Sequence, residues 1–191
     1  MPVRSRQAVL GCLATVAIAD TIILRRRPPW IVAGLFDHPA HLGTAGLVLL
    51  NLPPRSRDWA AGFLAGSLLP DLDHVPVAVS RVHRTLDDPR PVTHCLLAVA
   101  PVFVAARLTH GRVGDALRGA AAGTLAHFAR DLAVGTGVAL FQPLLRRSLT
   151  VPYPVYAAAL AALAARGGSA GPRPYPGERV PKMSTLRSMS K

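Results

Sequence analysis

The sequence predicts an all-α protein: a polytopic transmembrane bundle of about five or six helices, followed by a disordered basic C-terminal tail. Three observations predict it. Half of the 191 residues are apolar and only 17% are charged, against about 25% charge in an ordinary soluble domain, and the mean hydropathy is +0.31. The apolar residues gather in six runs separated by short polar or Pro/Gly-rich stretches. Cations sit in twos and threes between those runs, as in loops that face anionic headgroups, and are not interleaved with aromatics as in a nucleic-acid groove.

The first run, Gln7 to Leu24, is flanked by Arg4 and Arg6 and by Arg25, Arg26 and Arg27, and is interrupted only by Asp20. A signal peptide is the competing reading, because Ala17-Ile18-Ala19 resembles a cleavage site after a short apolar core. Trp30 to Leu52 is 23 residues, long enough to span roughly 30 Å of hydrocarbon. A third run, Trp59 to Leu69, stops at Pro70, which disfavours helical geometry at the residue before it.

After the polar stretch Ser80 to Pro91 comes Thr93 to Leu108, whose apolar core is short enough for a buried or half-inserted helix. The fifth run, Leu117 to Leu145, carries His127, Arg130 and Asp131, and the sixth is Leu149 to Ala165. Residues 1–165 therefore read as one membrane-embedded helical domain. Residues 166–191, rich in Gly, Pro and Ser, carry six cations against Glu178 and lack the apolar surface to order themselves. Cys12 and Cys95 both lie in apolar stretches and suggest neither a disulfide framework nor a thiolate metal site.

Ionisable residues inside apolar spans are expensive and mark function. If the six runs cross alternately, Asp37, His38, His41, Asp71, Asp73, His74, His83, His94, His127 and Asp131 all fall in one layer. That layer holds six of the seven histidines and leaves out His110. Asp37 and His41 are four apart, as are His127 and Asp131, so each pair shares a helical face. Imidazole and carboxylate together suit zinc, manganese or iron, and several carboxylates can hold two ions. Asp20 has no evident partner and reads as a helix-end residue. Arg84, and less strongly Arg90, offer a guanidinium to a phosphate or carboxylate.

The series Gly66-Ser67-Leu68-Leu69-Pro70-Asp71-Leu72-Asp73-His74, His83-Arg84, Thr93-His94 and His127-x3-Asp131, preceded by Asp37-His38-Pro39-Ala40-His41, resembles the YdjM-like family of membrane-bound, metal-dependent hydrolases over residues 30 to 145. The resemblance implies metal ligands among His41, Asp71, Asp73, His94, His127 and Asp131. Two departures from the family pattern stand out: eight residues, Thr85 to Val92, separate His83-Arg84 from Thr93-His94, and Cys95 stands where Ser is commoner.

The expected function is a multi-pass cell-membrane hydrolase with one or two divalent ions, zinc or manganese, activating water against an ester or phosphoester. Asp73 is the expected general base and Arg84 the anion stabiliser, with membrane lipids as partners and a lipid-linked molecule as the substrate suggested by the location. A non-enzymatic metal-binding or metal-transport protein is the alternative. A lipid-phosphate phosphatase of the haloperoxidase type is set aside, because Ala120 and Ala121 stand where its Ser-Arg pair would precede His127. No specific nucleic-acid partner is expected. Counting cations, with Arg130 left out as lying within a span, gives 13 on the side of the termini and eight on the side of the site, which favours termini inside and site outside.

Overall fold

Short connections fix the path of the chain. The computed structural model describes residues 3–53, 55–75, 90–91 and 93–169, with six α-helices and, apart from one isolated bridge, no β-structure among them. Helix α1 (Val3–Arg26) turns through Arg27, at φ 42, and Pro28-Pro29 into α2 (Trp30–Asn51). The two pack against each other, and a Cβ at Gly46 would stand 2.8 Å from Cys12 Sγ. Ser56 caps α3 (Arg57–Gly66) by accepting from the Trp59 N–H at 3.1 Å.

Residues Leu69–Asp73 form a 3₁₀ turn, followed further on by α4 (Leu96–Leu108), α5 (Gly111–Asp131) and α6 (Tyr153–Ser169). The helices alternate in direction. Asp58 at the start of α3 pairs with Arg112 at the start of α5, while Ser67 just past α3 meets His127 near the end of α5. Asn51 at the end of α2 donates to the Leu163 carbonyl in the last part of α6 at 2.9 Å.

Helices α3 and α5 touch backbone to backbone. A Cβ at Gly62 or Gly66 would lie 2.0 or 2.1 Å from the carbonyl oxygens of Ala116 and Ala120. One at Gly119 or Gly123 would lie 2.0 or 1.9 Å from those of Trp59 and Phe63. This is the small-xxx-small arrangement by which helices associate where lipid removes the hydrophobic driving force. The Thr124 hydroxyl adds a bond across the seam to the Gly66 carbonyl, 3.1 Å. Helix α6 closes the other side, where Tyr156, Leu160 and Ala164 pack on Val9, Val16 and Leu47 of α1 and α2.

The boundaries differ from the sequence expectations in three places. Helix α3 ends at Gly66 and not at Leu69, because Pro70 lacks the N–H to continue it and begins the tighter 3₁₀ turn. The fifth run is helical only to Asp131; Gly135 and Gly137, at φ 80 and 76, carry the chain out of the helix. Helix α6 continues through Ser169, four residues into the expected tail. The remainder of that tail, 170–191, lies outside the described residues, as do His83 and Arg84. Asp20, expected as a helix-end residue near the surface and without an evident partner, is instead buried. By length and composition one described helix, over residues 6–26, is able to cross a membrane. At 1.5 Å per residue, α3 and α4 reach only about 15 and 20 Å.

Candidate metal centre

Four segments meet at the end of the bundle where α1, α3 and α5 finish. Helix α2 brings Asp37 and His41 on one face, with His41 Nε2 3.6 Å from Asp37 Oδ2. Helix α5 brings His127 and Asp131 one turn apart, Nε2 to Oδ2 2.9 Å. The 3₁₀ turn supplies Asp71, and the stretch before α4 supplies His94. Asp71 Oδ1 lies 3.6 Å from Nε2 of both His94 and His127. Asp131 reaches His41 Nε2 at 3.4 Å through Oδ1 and His94 Nε2 at 3.5 Å through Oδ2. The His41 and His127 rings stack with centroids 3.8 Å apart.

The outer nitrogens decide the character of this cluster. His127 Nδ1 lies 2.8 Å from the Ser67 carbonyl oxygen, which can only accept, so Nδ1 carries the proton and a neutral ring turns an Nε2 lone pair inward. That lone pair faces His94 Nε2 at 3.3 Å and the carboxylates of Asp131 and Asp71. Both oxygens of Asp71, Oδ2 of Asp131 and both nitrogens of His41 are buried without a hydrogen-bond partner among the described residues, while Asp131 Oδ1 meets Arg90. Buried acceptors aimed at one another are costly unless positive charge lies between them. Three overlapping triads offer ligand atoms within 4.8 Å of one another: His41, His127 and Asp131; Asp71, His94 and His127; Asp37, His41 and Asp71. Nitrogen and carboxylate oxygen in these numbers fit a divalent cation of the zinc or manganese type.

Charges around the cluster reinforce it. Burial pushes the Asp71 carboxyl up, yet the neighbouring imidazoles of His74, His94, His127 and His41 outweigh burial and hold it well below the usual carboxylate range. Burial lowers the pKa of His94, and Asp71, Asp73 and Asp131 more than restore it, so it is raised. The Arg90 guanidinium stands 2.8 Å from Asp131 Oδ1 and donates to the Val134 carbonyl at 3.4 Å.

The expected ligands His41, Asp71, His94, His127 and Asp131 thus come together. Asp73, expected among them, is set back. Its carboxylate accepts from the Thr93 hydroxyl and faces Nδ1 of His94 at 3.4 Å and Nδ1 of His74 at 3.2 Å, on the side of the His94 ring away from Asp131. The anion-stabilising role expected of Arg84 falls outside the described residues, and His110 lies at the start of α5, away from the cluster.

Sequence reasoning did not assign Asp37 as a ligand and ranked Arg90 below Arg84. It also missed a buried network behind the cluster. Arg130, 0% exposed, forms an ion pair with Asp20 Oδ1 of α1 at 2.7 Å and donates to Asp37 Oδ1 of α2 at 2.8 Å and to the Tyr156 hydroxyl of α6 at 3.3 Å. Tyr153 donates to the other oxygen of Asp20, 2.9 Å. The available signal was one unpaired anion in the first run and one unpaired cation in the fifth.

A family model described as YdjM inner membrane protein matches residues 7–175. No curated protein and no solved structure matches the chain.

Proposed function

We propose that this chain, which belongs to the YdjM inner membrane protein family, is a multi-pass membrane hydrolase whose buried His/Asp cluster holds one or two divalent cations, zinc or manganese. The observation that carries the reading is the set of inward-facing acceptors, with the His127 tautomer held by the Ser67 carbonyl and both carboxylate oxygens of Asp71 buried without a hydrogen-bond partner among the described residues. His41, Asp71, His94, His127 and Asp131 would hold the cation, with Asp37 completing the third triad. A cation there supplies Lewis acidity, polarising an ester or phosphoryl oxygen and acidifying water to near neutrality.

The other steps belong to the chain. Asp73 orients His94 through Nδ1, the usual partnership of a carboxylate with a ligating imidazole. At 17% exposure it reaches the surface more than Asp71 or Asp131, and so it is also the group we assign to take a proton from water. Arg90 balances Asp131 and is itself partly exposed, at 15%, so its guanidinium can match a phosphate or carboxylate of the substrate; Arg84 is the other candidate. Membrane location supports a lipid or lipid-linked ester as substrate.

The test is metal analysis of detergent-purified protein alongside His127→Ala, Asp131→Ala and the distant His110→Ala. Stoichiometric metal in the parent and in His110→Ala, lost in the other two, is the expected result; equal content in all four overturns the site. Turnover of phosphomonoester, phosphodiester and carboxylester lipids by the loaded protein then tests hydrolysis. Metal retained without turnover would favour the non-enzymatic alternative.

A further inference from the structure

Beyond the cluster, the segment joining α5 to α6 has an unusual build. Its backbone is well tied: Val138 and Leu149 exchange both N–H bonds at 3.0 and 2.9 Å, Leu96 donates to Leu140 at 2.9 Å, and Leu145 donates to Phe141 at 3.0 Å. A Cβ at Gly137 would stand 2.2 Å from the Leu149 carbonyl, so the base of the loop is closed tightly. Yet its tip turns outward the side chains an ordered loop normally hides: Phe141 is 50% exposed, Leu144 95% and Leu145 49%. Arg146 and Arg147 follow at once and are exposed. On the neighbouring 3₁₀ turn, which carries Asp71 and Asp73, Leu69 and Leu72 also face out, and the exposed Arg25 and Arg26 end α1 at the same end of the bundle.

We propose that the Phe141–Arg147 loop is an interfacial anchor that inserts its apolar tip at the headgroup and acyl boundary of an anionic bilayer, with Arg146 and Arg147 on the lipid phosphates. Two considerations choose the bilayer over a protein partner. The chain belongs to a membrane family, and the exposed apolar residues are bordered by exposed arginines, the complement of an acidic lipid surface. Non-helical backbone facing lipid is not tolerated in the hydrocarbon, which sets the depth at the boundary and not the interior. The loop is joined to the catalytic end through the Leu96 to Leu140 bond, two residues from His94. Seating it would hold that end of the bundle at the headgroup layer. This anchoring rests on the membrane assignment and not on the metal or its chemistry.

The experiment places a single reporter in the loop. Leu144→Trp is made in full-length protein carrying Trp30→Phe and Trp59→Phe, and reconstituted into phosphatidylcholine vesicles with and without phosphatidylglycerol. Lipids brominated near the glycerol or near the chain end serve as quenchers. The expected result is blue-shifted emission quenched roughly twofold more by the shallow bromines than by the deep ones. Arg146→Glu with Arg147→Glu should reduce that shallow quenching in the anionic vesicles only. Water-like emission quenched by iodide, stronger quenching by the deep bromines, or emission insensitive to either lipid, as under a second copy of the chain, would each overturn the proposal. An unchanged signal from the double glutamate variant would remove the assignment of the arginines to lipid phosphate. Phe141→Trp is the second reporter where Leu144→Trp does not fold.

Discussion

At the scale of single residues, the cluster separates side chains placed to hold a cation from side chains that would orient them. His41 and His127 turn Nε2 inward, whereas Asp73 touches His94 only through its outer nitrogen. His127→Ala should therefore abolish binding, and Asp73→Asn should weaken it by about 10–100-fold, the usual cost of losing an orienting partner; titration of metal-free protein with zinc distinguishes them, and equal loss would return Asp73 to the ligand set. Acidity should act in a defined direction. The raised pKa of His94 means that it keeps a proton to higher pH than a free imidazole, and a cation must displace that proton. Metal affinity should thus rise with pH through the neutral range, with protons released on binding. Calorimetry in two buffers of different ionisation enthalpy measures the release, and none would contradict this account. The residues that cluster were legible in the sequence because carboxylates and imidazoles stand out in apolar runs. Which face of Asp73 meets what was not, since it depends on how the 3₁₀ turn seats against Thr93.

At the scale of elements, the α3–α5 seam sets the position of the Ser67 carbonyl and so the tautomer of His127. Gly123→Ala would drive a Cβ to 1.9 Å from the Phe63 carbonyl, where backbone and not a flexible side chain must yield. It should cost at least about 1–3 kcal/mol and reduce metal content together with thermal stability. Gly11→Ala, in open space on α1, should instead be neutral or stabilising by about 0.5–1 kcal/mol. Equal melting temperatures for the two variants would show that the seam is not tight. Arg130 ties four helices in the same way. Arg130→Met leaves Asp20 and Asp37 buried without their cation, a change worth about 3–5 kcal/mol, and a denaturation midpoint within error of the parent would contradict the network. The glycine spacings 62/66 and 119/123 stand in the sequence, but only the pairing of α3 with α5 gives them meaning. Likewise Asp20 and Arg130 are 110 positions apart, and nothing local joins them.

At the scale of the whole molecule, the alternation that put the histidines in one layer was readable from run lengths and turn residues alone, and the helices do alternate. What composition could not give was how far each run is helical: α3 spans ten residues and α4 thirteen, because Pro70 cuts the third run and the apolar core of the fourth is itself short. The alternation nevertheless has a consequence for sidedness. Helix α6 begins beside Asp131, where Val151 donates to the Leu132 carbonyl, and ends beside Asn51 and Val9, at the opposite end from the cluster. The start of α1 lies at that same far end, since α1 and α2 form a hairpin whose turn is at the cluster. On the sequence expectation of 13 cations on the side of the termini against eight on the side of the site, we expect both termini to face the cytoplasm and the cluster the outer leaflet. Compartment-sensitive reporters fused before residue 3 and after Ser169 should then report the cytoplasm, while Arg26→Cys, exposed at the cluster end of α1, should react with a membrane-impermeant thiol reagent in intact cells. Reporters disagreeing between the two ends would break the shared sidedness of the termini. Agreement on the outer side would keep it and reverse the orientation, turning the cluster to the cytoplasm.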